Sequence, residues 1–280
     1  MQMKDNVLKM FLQGAINLFM LMVTATCIFP LIWMLYSSLK TKQEFSMNIV
    51  ALPGRISFDN YISAIEIGKM HMFFVNSLFN SVISVLFIIV IGFVLGYFLA
   101  RYDFKGRNLI YVLFLFGMLV PVHSLLIPLF IQFKVLGILD KWFTLLLPYI
   151  AFGLPMAVFL FESFIKSTPI EIEEAAHIDG SSTTVTIFRI IMPICRPVLS
   201  TILILSFLNV WNEFPFALVL LKSQALKTVP IGLSNFNGQY TINYPQLMAA
   251  MVIAVLPVIL VYLLSSKKII QGMTAGSVKG

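Results

Sequence analysis

The sequence predicts an all-α, polytopic membrane protein with six transmembrane helices and one short helical bend held outside the bilayer. Three observations lead there. Of the 280 residues, 59% are hydrophobic and 11% charged, where a soluble domain carries about 25% charged residues. Mean hydropathy is +0.95. The apolar residues also fall into long runs, each able to cross a hydrocarbon core about 30 Å thick. The net charge of +7 does not point to nucleic acid, because no basic block with interleaved aromatics accompanies it. Lys and Arg sit mostly at the edges of the apolar runs, where headgroups and insertion topology account for them.

Residues 1–12 form a short tail with Lys4 and Lys9. The first span covers about Ala15–Leu39, too long for a signal-peptide core and without a small-residue cleavage site, and Pro30 kinks it. Residues 40–72 read as a polar loop around Pro53-Gly54. The second span, about Phe74–Ala100, opens with Asn76, Ser77, Asn80 and Ser81 on one helical face. Such a stripe must face protein or water rather than lipid. Arg101-Tyr102-Asp103-Phe104-Lys105-Gly106-Arg107 is the strongest topological signal, and it assigns this short loop to the cytoplasm. The third span runs from about Leu109 to Ile131 with Pro121 and Pro128, and the fourth from Trp142 to Ile165 with Pro148 and Pro155. The fifth covers about Val198–Leu221, followed by an external loop at 222–244. The sixth covers Gln246–Leu264 and stops at Lys267-Lys268. Six spans leave both termini in the cytoplasm.

Between the fourth and fifth spans, residues 168–197 are too polar and too interrupted to enter lipid. Thr168-Pro169-Ile170-Glu171 reads as a capping box with proline at the first helical position. Glu171, Glu173 and Glu174 suit the positive end of the helix dipole. Ala175 and Ala176 keep the next turn slim. Gly180 stops the helix, and Ser181 or Ser182 caps a second short helix running toward Pro193.

Glu174-Ala175-Ala176, Gly180 four residues later, then Ile190 and Pro193 resemble the cytoplasmic loop of importer-type ATP-binding-cassette (ABC) permeases. In that family a Leu precedes the Pro, where this chain has Met192. The resemblance implies that the first helix of the bend seats in a groove on a separate ATPase subunit. Glu174 and Asp179 would be its polar edges, Ala175 and Ala176 the slim surface, and Gly180 the turn.

The fifth span carries Asn209-Val210-Trp211-Asn212-Glu213-Phe214-Pro215. At about 1.5 Å per residue, Glu213 lies roughly 22 Å along the helix from Val198. An ionisable group at that depth requires a partner or a wet cavity. Two readings stand for it: lining of a substrate pathway together with Asn80, Asn209, Trp211 and Asn212, or a structural pin to another helix. Amide and carboxylate beside an indole suit sugar hydroxyls and pyranose faces. His71, His123 and His177 show no metal-ligand spacing, and Cys27 and Cys195 predict neither a disulfide nor a metal site. His123 reads as a hydrogen-bonded packing residue. No Gly-x-x-x-x-Gly-Lys-Ser/Thr loop exists, so ATP would be bound by another chain. No nucleophile elbow, paired-carboxylate site or metalloprotease helix supports an enzyme.

The 101–107 loop, Trp211-Asn212-Glu213-Phe214 and the terminal Thr274-Ala275-Gly276-Ser277-Val278-Lys279-Gly280 are similar to the smaller permease of carbohydrate importers of the maltose and multiple-sugar type. That resemblance implies one permease domain over residues 1–280, in a bacterial or archaeal cell membrane, with no cofactor of its own. Its implied partners are a second homologous permease, an ATPase dimer, an extracytoplasmic solute-binding protein and a sugar substrate taken up by alternating access. It implies ATPase contact through Ser277, Val278, Lys279 and Gly280, and binding-protein contact through Asn235, Asn237, Gly238, Gln239 and Tyr240. In better-known relatives the sugar contacts come largely from the partner permease. An importer of glycerol phosphate or a polyol shares these features. An ion-coupled secondary transporter is disfavoured by a single buried carboxylate and no internal repeat.

Overall fold

A computed structural model describes residues 2–236 and 243–277, with side chains described for 10–236 and 243–264. Every regular element among them is helical. The chain divides into two compact units, Met1–Met70 with Leu233–Val255, and His71–Gly232 with Leu256–Gly280.

In the first unit, α1 (Gln2–Ser37) contains Pro30; its residues from Met10 to Ile32 are exposed, and only the last turns, from Trp33 to Ser37, are partly covered by the rest of the chain. The expected polar loop at 40–72 instead holds two helices, α2 (Lys42–Met47) and α3 (Asp59–Glu66). The signal for α2 is legible in the residues. Thr41 and Glu44 form a reciprocal capping box, and the Thr41 N–H donated to Glu44 holds that carboxyl below the usual range. Lys40 folds inward, its Nζ donating to Asn48 O (3.2 Å) and Ile49 O (3.0 Å), 5.2 Å from the centre of the Tyr36 ring. Burial holds its pKa below the usual lysine value, and the Glu44 carboxylate offsets only part of that shift. Trp33 Nε1 and Tyr36 OH donate to the Ile49 and Val50 carbonyls, so the segment after α2 is strapped to the end of α1. Residues from α13 (Val229–Ser234) and α14 (Tyr244–Ser277) complete the unit. Helix α14 runs through Lys267-Lys268 to Ser277, past the expected stop.

The second unit is built on α4 (Met70–Arg101) and α7 (Leu146–Ser167). Their backbones approach closely through glycines. A Cβ on Gly92 would lie 2.7 Å from Ala157 Cβ, and one on Gly96 would lie 2.6 Å from Phe161 Cβ and 3.0 Å from the Glu162 nitrogen. A Cβ on Gly153 would collide with Ile88. Small residues four apart allow this contact, which supplies packing where lipid offers no hydrophobic gain. Phe93 and Phe161 close the seam edge to face at 5.4 Å. Gly96→Val is expected to lower stability by about 1–3 kcal/mol through overpacking. Gly14→Val, where a Cβ meets nothing within 4 Å, should not. Thermal unfolding in detergent compares the two.

Among the described residues, four helices are long and apolar enough to cross a membrane alone: Met10–Ser37, Met70–Arg101, Leu146–Ser167 and Tyr244–Leu264. Two bent pairs raise the number to six. The expected third span is one of these pairs: α5 (Arg107–Leu119) meets the segment Val122–Val135 at 92°. Pro121 is the cause. It lacks an N–H, and it forces Val120 into extended backbone (ψ 123°). The chain resumes as a 3-10 turn, Val122–Leu125, and α6 (Leu126–Val135).

The other pair joins Thr183–Ile194 to α11 (Arg196–Trp211) with a bend of 74°; the expected fifth span stops at the end of α11 and restarts as α12 (Pro215–Leu220). Pro215 sits at the first helical position, where its missing N–H costs nothing. Phe133, Leu145, Tyr149, Val210, Phe216 and Leu220 form the apolar core around α12.

Candidate functional site

Residues 168–197 form the bend, though not from the expected start. Thr168 caps α7 instead: its N–H donates to Ile165 O (3.0 Å) and its hydroxyl to Phe164 O (3.1 Å). The capping box is therefore not made, and α8 spans Glu171–Ile178. Its end is as expected and better built. Gly180 has φ +82°, its N–H bonds to His177 O (3.0 Å), and the Ser181 N–H bonds to Ala176 O (2.9 Å). This pair of bonds around a left-handed glycine is a Schellman motif.

Beyond it, α9 (Thr183–Val185) follows Ser182, whose side chain makes no capping bond. Thr186–Ile191 is π-helical and leads into α10 (Met192–Ile194). Pro193 has no N–H for the Arg189 carbonyl four residues back, and its ring crowds that carbonyl, so the preceding turn widens. Ile190 and Pro193 are half-buried in this wide turn.

Helix α8 has two faces. Glu174, Ala175, Asp179 and Gly180 point outward, but Ala176 is only 7% exposed and packs within this chain. The slim outward surface is therefore Ala175 alone. Ile178 stands beside it at 87% exposure. Sequence reasoning passes over this side chain, although its spacing from Glu174 and Ala175 puts it on the same face.

The inward face carries a clamp that sequence reasoning also misses. Glu173 Oε2 accepts from Tyr97 OH at 2.6 Å, and Oε1 accepts from Arg101 Nε at 2.6 Å. Arg101 Nη2 donates to Thr168 O at 2.8 Å. The carboxylate and guanidinium side chains are 8% and 9% exposed. Arg107, at the other end of the short loop, donates through Nε to Leu99 O (2.7 Å) and through Nη1 to Asp103 Oδ1 (3.1 Å). Two of the three cations that mark the loop's topology thus also fasten it, and Arg101 ties α8 to the end of α4.

A cavity of about 590 Å³ opens between α4, α7, α11 and the Val122–Leu125 turn. Of the expected pathway residues, Asn209, Asn212 and Glu213 line it. Trp211 does not: it is 2% exposed, stacked on Phe207 at 5.6 Å and edge-on to Phe74 at 5.5 Å. Its position on the opposite side of α11 from Asn209 and Glu213 makes it core rather than a sugar platform. Asn80 also lies elsewhere, beside Trp142 and Lys141.

The polar stripe containing Asn80 faces protein. Asn76 donates to Ala225 O (2.7 Å) and Lys227 O (3.0 Å), and Ser77 Oγ accepts from the Val229 N–H (2.8 Å). Glu213 itself is a pin as well as a lining residue. It accepts from Tyr149 OH (2.6 Å) and from the N–H groups of Phe216 and Ala217, so it caps α12 and fixes it to α7. His123, expected to be packed, is exposed and lines the cavity.

Asn235 is exposed just after α13. Asn237, Gly238, Gln239, Tyr240, Val278, Lys279 and Gly280 lie outside the described residues, and Ser277 is described as backbone only.

Helices broken within an apolar unit, around a cavity and beside an exposed amphipathic bend, define a membrane-spanning subunit of a transporter. The chain belongs to the family described as the inner membrane component of binding-protein-dependent transport systems, which it matches over residues 89–274. It is 36% identical to the arabinooligosaccharide transport permease of Bacillus subtilis, over 95% of each chain. It is 35% identical to the sulfoquinovosyl glycerol transport permease of Agrobacterium fabrum, over 90% of this chain and 89% of that one. A trehalose transport permease of Mycobacterium tuberculosis is 30% identical over 92% and 95%. In structure, a chain of a bacterial ABC transporter involved in importing the acidic polysaccharide alginate matches with a TM-score of 0.80 at 23% identity, over 91% of this chain and 95% of that one. A second match, TM-score 0.63, comes from the alginate transporter in complex with a pentasaccharide-bound periplasmic protein.

Proposed function

We propose that this chain is a permease subunit of an ABC importer that moves a sugar or oligosaccharide into the cytoplasm, the whole chain acting as one permease domain. The observation that carries the coupling role is the outward face of α8, where Glu174, Ala175, Ile178 and Asp179 stand free beside a rigid left-handed stop at Gly180. An apolar side chain 87% exposed between carboxylates fits a groove on a partner protein better than water. The carbohydrate transport named for its relatives and the Asn209, Asn212 and His123 side chains that line the cavity support a sugar as cargo. Its partners are a homologous permease, two ATPase subunits that bind the ATP, and an extracytoplasmic binding protein. Both termini and the 168–197 bend lie in the cytoplasm. ATPase closure displaces α8, the Glu173–Arg101 clamp passes that displacement to α4, and the cavity exchanges access between the two sides of the membrane.

Burying Ile178 contributes about 1.5–3 kcal/mol, so Ile178→Asp is expected to weaken ATPase retention at least tenfold. The test isolates the tagged chain with its genetic neighbours in mild detergent. A nucleotide hydrolase should accompany the wild type and be depleted from the variant. Sugar uptake that persists with no such companion overturns the reading.

A further inference from the structure

We propose that this chain contacts the cargo directly, and that the cavity selects an uncharged, hydroxyl-rich sugar over an anionic one. The inference rests on the import reading and specifies the substrate class at that site. The cavity, at about 590 Å³, falls within the range of small-molecule sites. Two of its walls differ in kind. One carries Ser206 and Asn209 of α11 and Asn212 at its C-cap, spaced three apart, and His123 of the turn after Pro121 lines the same cavity. The other is apolar, with Phe152 and Met156 of α7. A sugar ring presents the matching pair of surfaces, hydroxyls at its rim and C–H groups on its faces.

The polar wall has unspent capacity. Asn212 commits its amide nitrogen to Leu208 O at 2.9 Å and keeps its oxygen. Asn209 is exposed, Ser206 half-buried, and neither side chain makes a hydrogen bond to the described residues. A neutral imidazole donates from one nitrogen and accepts at the other, and an amide does both. That mixture matches hydroxyls, which are donors and acceptors at once. Among the described residues no Lys or Arg lines the cavity, and its single acid is Glu213. A carboxylated or sulfonated sugar would therefore enter beside an acidic side chain with no Lys or Arg to receive it. Glu213 is a positioning residue rather than a contact, since both its oxygens already hold Tyr149 and the start of α12.

The complete importer, binding protein included, would be placed in vesicles. It would be offered a mixture of neutral mono- to tetrasaccharides and a matching mixture of uronate oligosaccharides, with accumulation read by mass spectrometry. Neutral probes should accumulate at least tenfold faster than uronates. His123→Leu and Asn209→Leu should each shift the relative rates among neutral probes by fivefold or more, with His123→Gln and Asn209→Gln restoring part of the order. A purely structural defect lowers all probes together and would overturn the contact assignment. So would an unchanged order in a variant carrying both His123→Leu and Asn209→Leu. Uronates accumulating as fast as neutral sugars would overturn the class. Import of no sugar by the wild type would instead overturn the import reading, and this inference with it.

Discussion

Glu173→Ala is expected to destabilise the chain by about 3–5 kcal/mol, because it leaves the buried Arg101 guanidinium without its counter-charge. Arg101 would keep only the Thr168 carbonyl at 2.8 Å, and Tyr97 OH would lose its acceptor at 2.6 Å. Arg101→Ala should cost a similar amount by stranding the carboxylate. The double variant should cost less than the two singles together, since it strands neither charge. Unfolding in detergent measures all three. Uptake by the assembled importer should fall with Glu173→Ala, because α8 loses its attachment to α4. Glu173→Gln should fall between, since its amide oxygen still accepts from Tyr97. A single alanine variant within about 0.5 kcal/mol of wild type, the size of an ordinary surface change, would show that the clamp carries no energy.

The second large effect is expected at Gly180. The position is open: a Cβ there would meet nothing within 4 Å, so bulk alone is tolerated. The cost comes from φ +82°, which disfavours any residue with a Cβ by about 1–2 kcal/mol and β-branched residues more. Gly180→Val should break the Schellman bonds to His177 O and Ala176 O and turn Ile178 and Asp179 off their present face. Uptake should fall at least tenfold, either with ATP hydrolysis continuing uncoupled or with the ATPase missing from the purified assembly. Gly180→Asn should retain the most activity, because asparagine visits the left-handed region readily. The order Asn above Ala above Val identifies backbone conformation as the cause. Wild-type uptake by the valine variant would remove Gly180 from the coupling role.

Much of this architecture can be read from the residues, and the failures have physical causes. The apolar runs, the bend at 168–197, its stop at Gly180 and the protein-facing stripe at Asn76–Ser81 follow from length, polarity and helical spacing. Pro121 and Pro215 are visible too, but a proline inside an apolar run reads equally as a kink or a break. Only tertiary contacts decide, here the Tyr149 hydroxyl of α7 that Glu213 accepts from at the head of α12. The separate roles of Glu173 and Glu174 are not legible. Adjacent identical acids differ only by about 100° of helical phase, and the phase is set by Arg101, 72 residues away. Trp211 misleads for a similar reason: Phe74, on a different helix, holds its ring in the core. The capping box at Thr41 is a local signal hidden in a stretch that reads as loop, whereas the one at Thr168 is a local signal that α7 outcompetes.

The glycine seam between α4 and α7 sets how far a small push can travel. Helices whose backbones touch cannot slide past one another without steric collision, so the pair behaves as a welded strut. One end of that strut is held at Arg101; about 20 Å along it, at ~1.5 Å per residue, Ile88 and Gly153 form part of the cavity wall. On the proposed coupling, a stroke of a few ångströms delivered at the bend would be carried along this strut to the cavity, and slack inserted anywhere along the seam should blunt transport without touching either end.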